Sequence, residues 1–289
     1  MLNVLIAGIA SGLLYRLLGF AIVVLYRMTR IANFAEGSLA TLGAALVWSL
    51  VSRHGMPLGL AVPASVAVLA VFGVIVYLAV LRPRHDAGEL NLTVRTLGLY
   101  LLLFSLTDKW LGEGQPFTFP QIFPVRSISV GPLRIAESSL VVAGAAVVLA
   151  AGFVALLNWT RAGLLLRGIG SDRDTARLLG ASVRWLEALA WMLAAAVAAV
   201  AGILTAPTTL VSSDMMDSSL LYVFAGVVIG GLTSLGGAFV GGVTVGVVQG
   251  VAYFYGNADL SLLSVFALFL ATLLFRPHGL FGQRTQERL

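Results

Sequence analysis

The sequence predicts an all-α fold, a polytopic transmembrane helical bundle of about 8–10 spans carried by a single domain over residues 1–289. Three observations lead there. Hydrophobic residues make up 59% of the chain and charged residues 11%, where soluble domains carry about a quarter charged; mean hydropathy is +0.97. The apolar residues fall in repeated stretches, and about 20 helical residues suffice to cross a hydrocarbon core about 30 Å thick. The short-period alternation of barrel strands is absent, so every backbone amide is expected to be satisfied inside a helix.

Nine spans make the working reading, at residues 5–25, 34–51, 58–81, 92–111, 140–157, 186–204, 220–232, 237–255 and 260–275. The first is apolar from Leu2, lacks a basic leader and a small-residue cleavage site, and reads as a retained span. Arg16 lies near its middle, where an ionised group is a functional candidate by default. It can snorkel, pair with Glu36 or Glu187, or line a path for anionic groups. The second span opens with RIANFAEGSLATLG, in which Asn33 and Glu36 precede the small and polar residues Gly37, Ser38, Ala40, Thr41 and Gly43. Small residues allow close helix approach, and a carboxylate at depth costs about 2.5–3.5 kcal/mol on insertion scales. Glu36 is therefore expected at an aqueous cavity, a partner or the interface, or else solvated in the first turn of a helix entrance. Asn33 and Ser38 can satisfy backbone groups where that helix begins.

The third and fourth spans are followed by a Pro-rich loop over 112–137, and the fifth by a basic island at 160–184, TRAGLLLRGIGSDRDTARLLGASVR. The island holds Arg161, Arg167, Arg173, Arg177 and Arg184, while the flanking stretches 140–157 and 186–204 carry one acid, Glu187, and no base. Ser171 with Asp174 has capping-box spacing and Gly180 reads as a helix stop, which predicts a short amphipathic helix over 171–180. An orientation signal needs the charge but not a capped helix, so the island reads as a docking surface rather than a positive-inside anchor alone. With the island inside, thirteen bases lie inside and four outside, which puts the amino terminus outside and the carboxyl terminus inside. The sixth span leads to an acidic turn at 212–219. Beyond it, GVVIGGLTSLGGAFVGG, with Thr233 and Ser234 as available donors, is compatible with one span, two spans or broken half-helices.

Several functions are excluded or disfavoured. The chain has no cysteine, hence no disulfide and no thiolate metal site. The net charge of +5 comes from bases at span ends, where they orient spans and meet lipid headgroups, and does not indicate nucleic acid. A phosphate-binding loop needs Lys-Ser/Thr after its glycines, and the only lysine is Lys109. There is no H-E-x-x-H or G-x-S-x-G, and His54, His85 and His278 are dispersed over predicted loops. No cofactor is expected in the chain itself, and any energy from ATP must enter through another polypeptide.

Four segments, taken in order, resemble one family. YRMTRIANFAEGSLATLGA is similar to the entrance motif of branched-chain amino acid ABC transporter permeases, RAGLLLRGIGSDRDTARLLG to the loop by which such a permease engages its ATPase, GGLTSLGGAFVGG to their glycine-rich segment, and LFRPHGLFG to their terminal motif. The resemblance runs from about Gly12 to Gly282. It implies a permease of the bacterial inner membrane, with an extracytoplasmic solute-binding protein, a second permease, identical or related, and two cytoplasmic ABC ATPases that bind ATP and Mg. By the same resemblance Arg167, Ser171, Asp172, Arg173, Asp174, Arg177, Leu178, Leu179 and Gly180 would form the ATPase-coupling element, and Arg16, Asn33, Glu36, Ser38, Thr41, Thr233 and Ser234 are candidates for the pathway. Glu36 stands where the family usually has histidine, Asp172 where asparagine is common, and Arg16 and Arg27 where residues are usually small or neutral; these departures bear on the substrate. The rival reading is an ion-coupled secondary transporter using Arg16 and Glu36, which would act without an ATPase. A membrane scaffold would need a uniformly apolar interior.

Overall fold

The computed structural model describes residues 2–82, 88–112, 114–120, 127–130, 133–171, 173–277 and 279–282, with the backbone alone at 2–3, 89, 127–130, 133–139, 171, 173 and 174. The described residues form eleven α-helices and one hairpin. In chain order they are α1 (Leu2–Thr29), α2 (Glu36–Ser52), α3 (Leu58–Val76) with a π-helical turn at Tyr77–Leu81, α4 (Glu89–Leu111), β1 (Ser127–Val130), β2 (Leu133–Ala136), α5 (Glu137–Trp159), α6 (Arg161–Ser171), α7 (Arg173–Leu178), α8 (Val183–Thr205) with a 3-10 turn at Ala206–Thr208, α9 (Asp217–Gly230), α10 (Leu235–Tyr255) and α11 (Ala258–Phe275).

Each of the nine expected spans coincides with a helix, but among the described residues only seven helices are both long and apolar enough to cross a membrane. The two short ones are α2 and α9, of 17 and 14 residues. At about 1.5 Å per residue α9 reaches about 21 Å, short of a hydrocarbon core of about 30 Å. The glycine-rich region thus folds as a half-length helix, a turn and a full helix, one of the arrangements its composition left open. The Pro-rich loop also holds a small antiparallel hairpin, in which Ile128 pairs with Ile135 and Val130 with Leu133. The alternation in SISV and LRIA is long enough for two four-residue strands, though too short for a span.

The helices group into two compact units. One comprises residues 24–122 and 148–219. Its core joins Ala44, Val47 and Trp48 of α2 to Ala61 of α3, Leu111 of α4 and Ile203 of α8, with the Trp48 ring 4.2 Å from that of Phe117. Helix α8 packs tightly because glycine and alanine line its seams: a Cβ on Gly43 would meet Ala199, one on Gly202 would meet the Ala40 backbone, and one on Gly73 would meet the Trp191 carbonyl. Interfaces of small residues drive helix association in lipid, where burial of apolar surface gives no net gain. Ser65 adds a hydrogen bond from its hydroxyl to the Gly43 carbonyl at 2.8 Å.

The other unit comprises residues 1–23, 123–147 and 220–289. Its core joins Tyr222, Ala225 and Ile229 of α9 to Val245 of α10 and Val265 of α11, with Tyr15 of α1 against it. Helix α1 meets α10 backbone to backbone, Gly8 and Gly12 facing Gly242 and Gly246. Tyr15 donates its hydroxyl to Gln249 Oε1 at 2.8 Å. The chain leaves α9 through Gly231, whose φ of 107° lies in the left-handed region. Residues of the terminal RPHGLFG motif then close the end of α9: Leu280 and Phe281 donate their N–H groups to the carbonyls of Ile229 and Gly230, satisfying acceptors that a helix end leaves open.

Candidate functional site

The basic island is helical over Arg161–Ser171 and over Arg173–Leu178. Leu164, Leu165, Leu166 and Ile169 continue a helical pattern before the expected start, so α6 runs through to Ser171. Ser171 is consequently itself helical, at the end of the stretch Arg161–Ser171, rather than an N-cap. Asp172 lies outside the described residues, and of Arg173 and Asp174 the backbone alone is described. The stop is where the sequence puts it. Gly180 has a φ of 85°, its N–H donates to the Arg177 carbonyl and that of Ala181 to the Ala176 carbonyl. These are the two bonds of a Schellman motif, which satisfies the last carbonyls and ends the helix sharply.

This cap leaves α7 projecting its apolar end. Leu178 and Leu179 are 88% and 82% exposed, and Arg177 is exposed beside them. Arg167 sits on α6, half-buried, and donates from Nη2 to the Asn158 carbonyl at 3.3 Å. Behind α7 lies a groove of about 850 Å³ whose walls include Leu164 and Leu165 of α6, Leu179, and Trp185, Leu186 and Leu189 of α8. Helix α6 presents one apolar stripe inward, with Leu166 and Ile169 buried, and a second outward, with Leu164 and Leu165 exposed. The four residues 179–182 tie this short helix, with two exposed leucines at its tip, to α8.

The second candidate group lies at the entrance to α2, in the same unit. Helix α1 ends on Arg30, whose φ of 58° is left-handed and whose N–H donates to the Tyr26 carbonyl at 2.8 Å. Glu36 is fully buried, contrary to the expectation of a solvated or cavity-facing carboxylate. Its Oε1 accepts from Asn33 Nδ2 at 3.0 Å, while Oε2 has no hydrogen-bond partner among the described residues. The reason is local: Asn33 turns back, its Oδ1 accepting from Ala35 N–H at 3.0 Å, and so folds the acid under the helix start. Ser38 and Thr41 are buried one turn and more along, with the Ser38 hydroxyl 3.5 Å from the Tyr100 carbonyl. Thr96 joins the group, its Oγ accepting from Phe34 N–H at 3.2 Å and lying 2.7 Å from the Thr93 carbonyl and 3.1 Å from that of Ala32. Its part was not legible, since nothing in NLTVRTLG marks one threonine.

In the other unit, Thr233 and Ser234 occupy the turn between α9 and α10, where Ser234 Oγ accepts from Gly237 N–H at 3.0 Å and caps α10. Arg16, in the same unit, pairs with no acid of that unit among the described residues. Its guanidinium lies 4.0 Å from the Phe239 ring centroid and 5.1 Å from that of Phe20. In the unit of α2 and α8, Glu187, 1% exposed, accepts the Tyr77 hydroxyl at 2.7 Å. That Tyr77 sits at the π-helical turn, a local widening often found where a helix must re-aim a side chain.

The comparisons bear on the whole chain. Residues 4–273 match the family described as branched-chain amino acid transport system / permease component. The probable branched-chain amino acid transport permease protein LivH of Methanocaldococcus jannaschii is 29% identical over 96% of this chain and 90% of that protein. The high-affinity branched-chain amino acid transport system permease proteins BraD of Pseudomonas aeruginosa and LivH of Escherichia coli K12 are each 24% identical, over 100% and 98% of this chain and 98% and 96% of their own lengths. A solved chain of PsaBC from Streptococcus pneumoniae in complex with Fab aligns at 14% identity with a TM-score of 0.49, covering 96% of this chain and 91% of that one.

Proposed function

The chain belongs to the branched-chain amino acid transport system permease family, and on that premise we propose that it forms one membrane-spanning half of an ATP-driven importer of branched-chain amino acids or related amino acids and amides. It is a multi-pass membrane permease. A second permease, identical or related, completes the pathway, and an extracytoplasmic binding protein delivers solute. Two cytoplasmic ATPases hold ATP and its Mg and supply the work, in the inner membrane of a bacterial cell with the α7 side inside.

The observation that carries this reading is the exposed tip of α7. Leu178 and Leu179 anchor the tip in an ATPase recess, and Arg173 and Arg177 meet charge at its rim. Closure of the ATPase pair then displaces α7, and the turn at Gly180 passes the movement to α8. Because Gly43 and Gly202 bring α2 and α8 into backbone contact, the two helices move as one body and carry the Asn33, Glu36, Ser38 and Thr41 group with them. Affinity for solute resides in the separate binding protein, so modest polar lining suffices along the pathway.

The test is co-purification with the neighbouring ATPases. Leu178→Asp with Leu179→Asp, or Arg173→Glu with Arg177→Glu, is expected to abolish capture while the chain stays folded in the membrane, since both leucines already face solvent. Undiminished capture by the leucine pair, or no capture by the wild type, would overturn the coupling role.

A further inference from the structure

Arg16 stands about 21 Å along a helix about 42 Å long, near the middle of its span. It is 8% exposed. Two aromatic faces hold the guanidinium, Phe239 at 4.0 Å and Phe20 at 5.1 Å, and both attract a cation through the ring quadrupole without accepting its in-plane hydrogens. A guanidinium carries five N–H donors in a rigid planar fork. Here Nε is buried without an acceptor, and no hydrogen bond or ion pair engages the side chain among the described residues. Within its unit the one carboxylate side chain described is Asp259, exposed in the first turn of α11. Helix α10 brings the Gly242 backbone against the Arg16 main chain. A cation so deep, oriented by stacking yet with its hydrogen-bonding capacity unspent, is complementary to a planar anion that arrives from elsewhere.

We infer that Arg16, pinned between Phe20 and Phe239, is the site that receives the carboxylate of a solute crossing the membrane. The inference rests on the permease reading and narrows it: amino acids and other carboxylates are the substrate class, and uncharged amides and urea are not. Bidentate, charge-assisted bonds in a low-dielectric setting favour a carboxylate over an amide of the same shape. A site built around a buried polar group discriminates strongly against an analogue that leaves the group unpaired.

The experiment measures ligand-induced thermal stabilisation of the purified full chain in lipid nanodiscs, with L-leucine, isovalerate and L-leucinamide as probes. Leucine and isovalerate are expected to stabilise the wild type, and leucinamide to require at least about tenfold higher concentration. Arg16→Gln should erase that preference. Arg16→Lys, which keeps the cation and guards against a folding defect in the glutamine variant, should retain the preference with weaker binding. Equal responses to leucine and leucinamide in the wild type, absence of any response to the carboxylates, or an unchanged preference in Arg16→Gln would overturn the site. The assay needs no ATPase, so a carboxylate preference without ATP-driven uptake would refute the importer reading while leaving the Arg16 site standing.

Discussion

Asn33→Ala isolates the polar knot beneath α2. Asn33 serves two groups at once, the buried Glu36 carboxylate and the Ala35 N–H, each at 3.0 Å. Truncation removes both bonds. A hydrogen bond to a charged group is worth about 1.5–3 kcal/mol and one between neutral groups about 0.5–1.5 kcal/mol, and a buried group left unsatisfied costs about 1–3 kcal/mol. Because these ranges overlap rather than add, the expected loss is about 2–4 kcal/mol. Glu36→Gln behaves differently. It keeps a carbonyl oxygen for Asn33 to donate to and removes the cost of a desolvated charge, at the expense of an amide nitrogen placed where Oε2 has no partner. A change within about 1 kcal/mol is expected. Reversible unfolding in mixed micelles of mild detergent and dodecyl sulfate reads both variants. If Asn33→Ala lies within 0.5 kcal/mol of wild type, or Glu36→Gln costs more than Asn33→Ala (roughly, on the ranges above), then Glu36 is not held as described.

Gly43→Val drives a branched side chain into Ala199 on α8 and should cost about 1–3 kcal/mol or more by overpacking, measured in the same micelle titration. Gly180→Ala forces a side chain onto a φ of 85° at a cost of about 1–2 kcal/mol; the loss should appear as weakened ATPase capture with membrane insertion intact. Tyr77→Phe removes the 2.7 Å bond to the buried Glu187, and a loss of about 1–3 kcal/mol is expected in the micelle titration. Arg30→Gly relieves a left-handed arginine and should be neutral or stabilising by up to about 1 kcal/mol in that titration.

The nine helices were legible because apolar stretches between polar turns are an unambiguous signal in a membrane chain. Their lengths were less so. Helix α9 ends at Gly231 because that residue turns left-handed, yet GVVIGGLTSLGG offers several glycines at which the chain can turn. At the island, Gly180 was readable as a stop, whereas Ser171 misled, since a serine with an acid three residues on caps a helix only if the preceding leucines do not already extend one. Arg16 was conspicuous as a mid-span cation, but its partners Phe20 and Phe239 were not: Phe20 shares its helix face at i+4, and Phe239 is 223 residues away. Burial of Glu36 was hidden for a related reason, because the Asn33 side chain that folds it inward acts through a turn geometry that the string RIANFAEG does not specify.

The coupling claim is tested most directly by site-specific cross-linking from the α7 tip. The chain has no cysteine, so Leu179→Cys, at a position 82% exposed, gives a single thiol. In membranes containing the neighbouring ATPases, a thiol-reactive photo-cross-linker at that position should join the permease to an ATPase, in a yield that changes when ATP is added. A chain that yields no such product, and that moves leucine alone on an ion gradient, would contradict the importer account and leave an ion-coupled carrier in its place.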